Sequence, residues 1–210
     1  MKKIPDIDPH FSEKGYEVNR AIFKDYDPRL MAEKSGLVFD QDRQCFIIEV
    51  LGDKYSVNYP DGEVVFADGQ PVSNYSVKMI ILRYLINANG SLPTGQFKSY
   101  KEFPDGPLYY ANFYARSIKI FALIGAEYPQ ALNDFISETK ASRIDQGDLA
   151  FSLKVMPGVE VAFILWYGDD EFEPEGQILF DQNLMDIFTI KDLAVLGDVL
   201  MLKMKTFTSA

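Results

Sequence analysis

The period of hydrophobic and polar positions changes along the chain, and each change predicts a new kind of element. Residues 10–35 carry Val18, Ile22 and Phe23 at helical spacing, which predicts an N-terminal helical arm. Between residues 37 and 66, short runs of β-branched and aromatic residues are separated by turn residues, a pattern typical of an antiparallel meander. Helices and strands are therefore expected in separate groups.

The rest of the chain continues this grouping. Further helices are predicted at 77–85, at 109–124, from Pro129 and from Thr189, and strands at 149–155 and 159–167. The last strand is apolar on both faces apart from Glu160, as expected of a central strand. The pattern predicts an α+β fold with a largely antiparallel sheet of about six to eight strands and helices packed on it. Because no linker-like stretch interrupts the chain, residues 1–210 are expected to form a single domain.

Composition and charge exclude several kinds of partner. The chain has 21 Lys and Arg against 31 Asp and Glu, a net charge of -10 that repels nucleic acid and anionic lipid. The longest apolar runs, such as 161–167, are far shorter than the ~20 residues that span a bilayer. The start of the chain turns acidic after Lys3, unlike a signal peptide. We expect a cytoplasmic protein that binds neither nucleic acid nor membrane.

Few residues are available for metal or nucleophile chemistry. The chain has one cysteine, Cys45, within an apolar run, and one histidine, His10. Two such ligands are too few for structural zinc, and one thiol is too few for an iron-sulfur cluster. No nucleophile elbow or phosphate-binding loop is present either. The sequence predicts no cofactor and no metal, a buried Cys45, and a solvated or capping role for His10.

Arg116 breaks the apolar pattern of its predicted helix. It lies three residues after Phe113 and four before Ile120, both on the expected buried face. A guanidinium cannot lose its proton, so a desolvated Arg116 needs a carboxylate, several carbonyls or an anionic ligand. An internal salt bridge and a bound small anion both remain open.

An acidic run follows the predicted central strand. Asp169 and Glu171 come directly after that strand, and Asp181 ends the next short one. Three carboxylates held together suit Mg²⁺ or Ca²⁺, and a pair can serve as general acid and base. The third interpretation is a solvated acidic loop, because the spacing does not match a calcium loop.

The same regions resemble a known family. The resemblance rests on the segments Leu92-Pro93-Thr94-Gly95, 97–103, Tyr109-Tyr110-Ala111-Asn112-Phe113 with Arg116, Gly168-Asp169-Asp170-Glu171-Phe172 and Ile178-Leu179-Phe180-Asp181. Together they are similar to DUF3786, a domain-of-unknown-function family of anaerobic bacteria and methanogenic archaea, over about residues 25–205. Some members carry a cysteine-rich iron-sulfur segment, which this sequence lacks. The resemblance implies kinship and no particular activity.

The resemblance also suggests which residues share a neighbourhood. Carried over residue by residue, it points to Thr94, Gly95, Tyr109, Tyr110, Arg116, Asp169, Glu171, Phe172 and Asp181 as ligand-binding candidates. We expect Arg116 to pair with Asp169, Glu171 or Asp181, and the tyrosines and the Thr94-Gly95 turn to form one wall of a pocket.

Three functions are compatible with this neighbourhood. The leading hypothesis is a non-catalytic accessory protein of anaerobic metabolism that binds a small anionic ligand or a protein partner near Arg116. The first alternative is an enzyme that uses the carboxylates, with or without a divalent cation. The second is a structural or assembly module. A pocket in which Arg116 is unpaired or holds an anion favours the first, a pocket with free carboxylates favours the enzyme, and a fully bridged Arg116 without a cavity favours the structural module.

Overall fold

The structure, a computed structural model, describes residues 13–209 and confirms the predicted α+β fold. The expectation for His10 lies outside the described residues. The helices are α1 (Glu13–Phe23), α2 (Pro28–Ser35), α3 (Tyr75–Asn87), α4 (Gly106–Phe113), α5 (Lys119–Glu127), α6 (Pro129–Glu138) and α7 (Ile190–Thr206). The strands are β1 (Phe39–Asp40), β2 (Cys45–Val50), β3 (Asp53–Asn58), β4 (Val64–Phe66), β5 (Phe97–Ser99), β6 (Ser142–Ile144), β7 (Leu149–Met156), β8 (Val159–Trp166) and β9 (Glu175–Asp181).

The strands form two antiparallel sheets. The first is the expected meander, ordered β1-β2-β3-β4, in which Ile48 lies opposite Tyr55. The second is ordered β5-β9-β8-β7-β6, so β8 is its central strand, as its two-sided apolar pattern predicts. Phe151 and Phe163 are register partners on β7 and β8, and their rings stack at 4.9 Å between centroids. Cys45 is buried in β2, as expected of a small hydrophobic residue.

One hydrophobic core runs through both sheets and the helices between them. The backbone N–H of Leu51, after β2, donates to the carbonyl of Val155 in β7 at 3.0 Å. Lys203 of α7 contacts Asp53 of β3 at 3.0 Å. This continuity supports a single domain, which stays a prediction. No helix between residues 13 and 209 has the length and apolar character needed to cross a bilayer.

The buried face of α1 differs from the predicted one. Tyr16, Asn19 and Phe23 point inward, while Val18 and Ile22 are exposed. The cause is the tyrosine hydroxyl, which donates to the carbonyl of Gly62 and accepts from the N–H of Val64, both at 2.9 Å. These hydrogen bonds fix the helix rotation against the meander, which hydrophobic spacing alone does not reveal.

The helix that carries Arg116 contains a π turn. Helix α4 continues through Tyr114–Ile118, a π-helical turn, into α5 without a break, so the predicted helix is confirmed but is longer and locally wider. π turns are rare in proteins overall, and those that occur often lie at functional sites. This one packs on α7, where Gly197 lies against Ser117 and Phe113. The absence of a side chain at residue 197 lets the two helices approach closely.

We expect Gly197→Ala to destabilise the protein. Its methyl group would lie 2.6 Å from Ser117 Oγ and 2.7 Å from Phe113 Cε2, so the helices must separate. We expect a loss of about 1–3 kcal/mol by overpacking, partly offset by the better helix propensity of alanine. Chemical denaturation measures it, and the double variant Ser117→Gly/Gly197→Ala should recover part of the loss. A stabilised G197A would show that this contact does not limit the packing.

Candidate functional site

A cavity of about 550 Å³ lies where α3, α4 with its π turn, and α7 meet. It is lined by Asn19, Met79, Arg83, Tyr100, Tyr109, Asn112, Phe113, Arg116, Thr189, Lys191, Asp192, Ala194, Val195 and Asp198. We call it the α7 cavity. Its lining joins residues from distant parts of the sequence, so only the tertiary fold assembles it.

Helix α7 contributes the largest part of the α7 cavity. Lys191, Val195 and Asp198 are spaced at i, i+4 and i+7, which places them on one stripe of the helix. Most of the rest of α7 is buried in the core. The stripe therefore forms a rigid floor, and side chains from α3 and from the π turn stand on either side of it.

On the α3 side, Arg83 forms a two-point ion pair with Asp192. Arg83 Nε donates to Asp192 Oδ1 at 3.2 Å, and Arg83 Nη2 donates to Oδ2 at 3.0 Å. Asp192 is also the partner of Thr189 in the capping box that begins α7. The carboxylate is thus held by the helix start, and it in turn fixes the guanidinium in a planar fork geometry.

On the other side, Arg116 pairs with Asp198. Nη2 of the arginine donates to Oδ2 of the aspartate, whose side chain is 3% exposed, against 26% for the arginine. Burial raises the pKa of Asp198 to about 6, and the attraction of Arg116 and Lys205 opposes this rise without cancelling it. The site thus has a carboxyl group that changes charge near neutral pH and a guanidinium that keeps its charge.

Buried polar atoms without a protein partner gather around the same cavity. Among the described residues, four enclosed side-chain atoms have no hydrogen-bond partner, and three of them, Asn19 Oδ1, Ser117 Oγ and Asp198 Oδ1, lie at or beside this cavity, while Asn183 Oδ1 lies elsewhere. Asn19 and Asp198 line the cavity, and Ser117 packs against Gly197 next to it. Such atoms are uncommon in folded proteins, and their clustering marks a region not optimised for stability alone.

The α7 cavity has a local positive excess in an acidic protein. Three cationic side chains, Arg83, Arg116 and Lys191, line it together with two carboxylates, Asp192 and Asp198. The remaining lining residues are neutral, and several are apolar or aromatic. The cavity is therefore suited to a small molecule that has both negative charge and an apolar part.

The aromatic side of the α7 cavity is ordered by specific contacts. Tyr100 donates its hydroxyl hydrogen to the carbonyl of Ile190 at 2.9 Å, and its ring stacks on that of Phe113 at 4.2 Å between centroids. Lys191 Nζ lies 5.4 Å from the centre of the Tyr109 ring. Two of the predicted site residues, Tyr109 and Arg116, therefore line the same cavity.

The other predicted residues lie elsewhere. Asp181 does not pair with Arg116, because its carboxylate caps the Thr94-Gly95 turn. Its Oδ2 accepts from the N–H groups of Thr94 and Gly95 at 2.8 and 2.7 Å, and its Oδ1 accepts from the Thr94 hydroxyl and the Asn183 N–H. Burial alone would raise the pKa of Asp181, but these hydrogen bonds together hold it below its usual value.

The acidic run is also separate from Arg116. Asp169, Glu171 and Phe172 line a different surface depression, formed mainly by residues 167–174. Asp169 Oδ1 accepts from the N–H groups of Glu171 and Phe172 at 2.8 Å, so it closes its own turn. The ring of Phe172 is exposed. The expected pairing of Arg116 with Asp169, Glu171 or Asp181 is therefore wrong, because the partner of Arg116 is Asp198. Asp169 and Asp181 accept hydrogen bonds from their own turns, and Glu171 lies with Asp169 in the separate depression.

Tyr110 also lies outside the α7 cavity lining, and the structure bears on the possible metal site as well. Lys101 Nζ lies 3.9 Å from the centre of the Tyr110 ring, outside the α7 cavity lining. Within residues 13–209, no group of three or more His, Cys, Asp or Glu side chains is arranged to hold a metal ion. The predicted neighbourhood thus divides into a cavity, a capped turn and an exposed loop.

The residues missed by the sequence reasoning are Arg83, Lys191, Asp192 and Asp198. One signal for Asp198 was available, because this acidic residue lies between Leu196 and Leu200 in an apolar stretch of the helix predicted from Thr189. Arg116 and Asp198 each lie in an apolar stretch of a predicted helix, and each needs a partner of opposite charge if it is buried, so the sequence could have suggested that they pair. Arg83 gave no comparable signal.

Comparison with known proteins identifies the family. A family model described as Domain of unknown function (DUF3786) matches residues 27–203. The chain belongs to this family. All residues that line the α7 cavity lie within the matched range except Asn19, which precedes it. No curated protein and no solved structure matches the chain.

Within this DUF3786 domain, we expect Asp198 to make stability fall as pH rises. The folded-state pKa of about 6 is above the usual value of 3.8. The stabilisation contributed by the protonated Asp198 is therefore complete below about pH 4 and is lost as the pH rises through about 6. Relative to Asp198→Asn, the wild-type free energy of unfolding should decrease by on the order of 2–3 kcal/mol between pH 4 and pH 7.

Urea denaturation of both proteins at several pH values tests this expectation. The asparagine variant does not titrate, so the difference between the two curves isolates the carboxyl group. A difference that rises with pH, as for a carboxylate stabilised by its ion pair, would contradict the assignment.

We expect Asp181→Asn to destabilise the domain through the Thr94-Gly95 turn. An asparagine offers one acceptor oxygen to donors that now share two, so an N–H would face another N–H. The expected loss is about 1–3 kcal/mol at pH 7. Because the pKa of Asp181 is lowered, the loss should shrink as pH falls below about 4, and denaturation at pH 7 and pH 3 measures both values. An equal loss at both values would argue against a charged cap.

Proposed function

We propose that this DUF3786 protein is a non-catalytic binding protein whose α7 cavity takes a small organic anion. The proposal includes the expectations of a cytoplasmic location, a role in anaerobic metabolism, and no nucleic acid or membrane partner. Its support is the pair of arginines that line one cavity, each held from behind by a carboxylate that is almost fully buried.

The hydrogen-bonding capacity of these arginines supports an anionic ligand. A guanidinium has five N–H donors. Within the described part of the chain, Arg83 uses two of its side-chain hydrogen bonds on Asp192 and Arg116 uses one on Asp198. Each arginine therefore retains donors, and its orientation is already fixed by its aspartate. A carboxylate or phosphate that enters the cavity meets preorganised partners, which reduces the entropy cost of binding.

The net charge of the protein makes local recognition necessary. At -10, the molecule as a whole repels an anion, and the three cations of the α7 cavity overcome this only at short range. The apolar and aromatic lining, including Met79, Phe113 and Val195, adds contact with the body of the ligand. An organic anion fits this combination better than an inorganic ion does.

The alternatives have weaker support. An enzyme built on Asp169, Glu171 and Asp181 loses its geometric basis because Asp181 caps the Thr94-Gly95 turn, while Asp169 and Glu171 lie in the separate loop 167–174. The raised pKa of Asp198 suits acid-base chemistry, but Oδ2 is bonded to Arg116 and Oδ1 is enclosed. A purely structural module is disfavoured because a cavity adjoins Arg116.

A thermal-shift and calorimetric screen of carboxylates, phosphate esters and sulfonates at pH 7 tests the proposal. A true ligand at about 100 times its Kd stabilises by about 2.7 kcal/mol, a rise in Tm of roughly 5–10 °C for a chain of this size. The double variant Arg116→Gln/Asp198→Asn should lose most of this rise. It removes the ion pair as a unit, so it leaves no unpaired buried charge.

The matched control is Arg143→Gln. Arg143 is exposed on β6 and donates to Asn133 Oδ1 at 2.9 Å, away from the α7 cavity lining. This control carries one positive charge fewer than the wild type yet should respond to the anion normally. If the anion response survives in R116Q/D198N, or if R143Q loses it equally, the α7 cavity is not the binding site.

A further inference from the structure

We infer that the ligand of the α7 cavity carries two anionic groups, one at each end of a short apolar or aromatic body. This inference rests on the proposed function and names the class of anion. It is drawn from the separate positions of Arg83 and Arg116, each anchored to its own aspartate on the same helix.

The spacing along α7 places the aspartates that anchor the two arginines at different levels of the helix. Asp192 and Asp198 are six residues apart in a continuous helix, a rise of about 9 Å along its axis. Arg83 comes from α3 and Arg116 from the π turn, and both of these elements pack on α7. The two guanidiniums therefore approach the cavity from different helices and from different levels of the floor.

Neither arginine is free to swing toward the other. Arg83 is held by two hydrogen bonds to Asp192, and leaving that carboxylate would expose a buried charge without its partner. Arg116 is likewise the ion-pair partner of Asp198, which is 3% exposed. A single carboxylate that accepts from one guanidinium in a two-point contact uses both of its oxygens there. Two anionic groups on one molecule can each accept from one of the two arginines.

The lining between the arginines matches the body of such a ligand. Ala194 and Val195 form the floor between the two aspartates, and Met79 and Phe113 also line the cavity. These side chains offer no charge, so the middle of the ligand is expected to be apolar. Lys191, beside the Tyr109 ring, adds a third cation to the lining. The five charged side chains sum to +1, so the second anionic group of the ligand would be recognised by the remaining donors of the second guanidinium and not by the net charge of the lining.

The test compares matched anions by calorimetry at pH 7.5. Succinate, adipate and suberate are each titrated beside the monoanion with the same number of carbon atoms, namely butyrate, hexanoate and octanoate. A second charge-assisted contact contributes about 1.5–3 kcal/mol, so the best dianion should bind about tenfold to a hundredfold more tightly than its monoanion. We expect the advantage to peak at one chain length, because the anchors are fixed.

Two neutralised pairs identify the ends. Arg83→Gln/Asp192→Asn and Arg116→Gln/Asp198→Asn each remove one arginine together with its aspartate, which preserves folding better than removing one charge. Each variant should reduce dianion affinity to about the level of the monoanion, while Arg143→Gln should leave the dianion advantage intact. Circular dichroism checks that each variant is folded. If a double variant does not fold, Arg83→Lys or Arg116→Lys replaces it. The lysine variants retain the charge but lose the forked donors of the guanidinium, so each should weaken dianion binding at its own end.

The outcomes separate the two proposals. If monoanions bind as tightly as dianions and R116Q/D198N abolishes both, the dianion inference is overturned and the anion-binding function stands. If a dianion advantage survives both neutralised pairs, the second charge is not recognised at these arginines and the inference also fails. If no anion in the series binds at millimolar concentration, the dianion inference is overturned, and the wider screen that includes phosphate esters and sulfonates decides the anion-binding function.

Discussion

The buried carboxylate of Asp198 beneath the Arg116 guanidinium is the interaction that joins the fold to the candidate site. Taking a carboxylate out of water is costly, and here the cost is visible as a pKa raised to about 6 despite the arginine. A hydrophobic residue at position 198 would fill the same buried space beside α7 without this desolvation cost. The pair therefore contributes little to stability as such, and its effect is to hold a guanidinium in one orientation at the wall of a cavity.

The packing around this pair depends on two local departures from regular structure. Arg116 and Ser117 lie in the π turn Tyr114–Ile118, which packs on α7. Gly197 allows α7 to approach that turn at a distance that no larger residue permits. A regular helix with an alanine at position 197 would be a better helix by propensity. The observed combination gives up some helix stability for a close contact beside the cavity.

The charges of the molecule have different roles at different distances. The net charge of -10 acts over the whole surface and is unfavourable for the approach of other polyanions. Within the α7 cavity, the low exposure of Asp192 and Asp198 directs their charge toward Arg83 and Arg116, and the outer donors of the arginines remain available. An anion small enough to enter experiences the near cations most strongly because solvent screens the distant carboxylates. The proposed anionic ligand is therefore compatible with the acidic composition of the protein.

Period and turn chemistry in the sequence were sufficient for the α+β class, the meander, the central strand β8 and the capped start of α7 at Thr189, since these depend on neighbouring residues. The sequence also showed that Arg116 needs a negative partner. It did not show which one, because Asp169, Asp181 and Asp198 are the same residue type. Whether an aspartate caps a turn, as Asp169 and Asp181 do, is decided by backbone geometry. Pairing of Arg83 with Asp192 joins residues 109 positions apart. Only the packing of α3 and the π turn on α7 brings these charges to one cavity, since side-chain contacts between distant segments are set by how helices pack and leave no periodic trace in the chain.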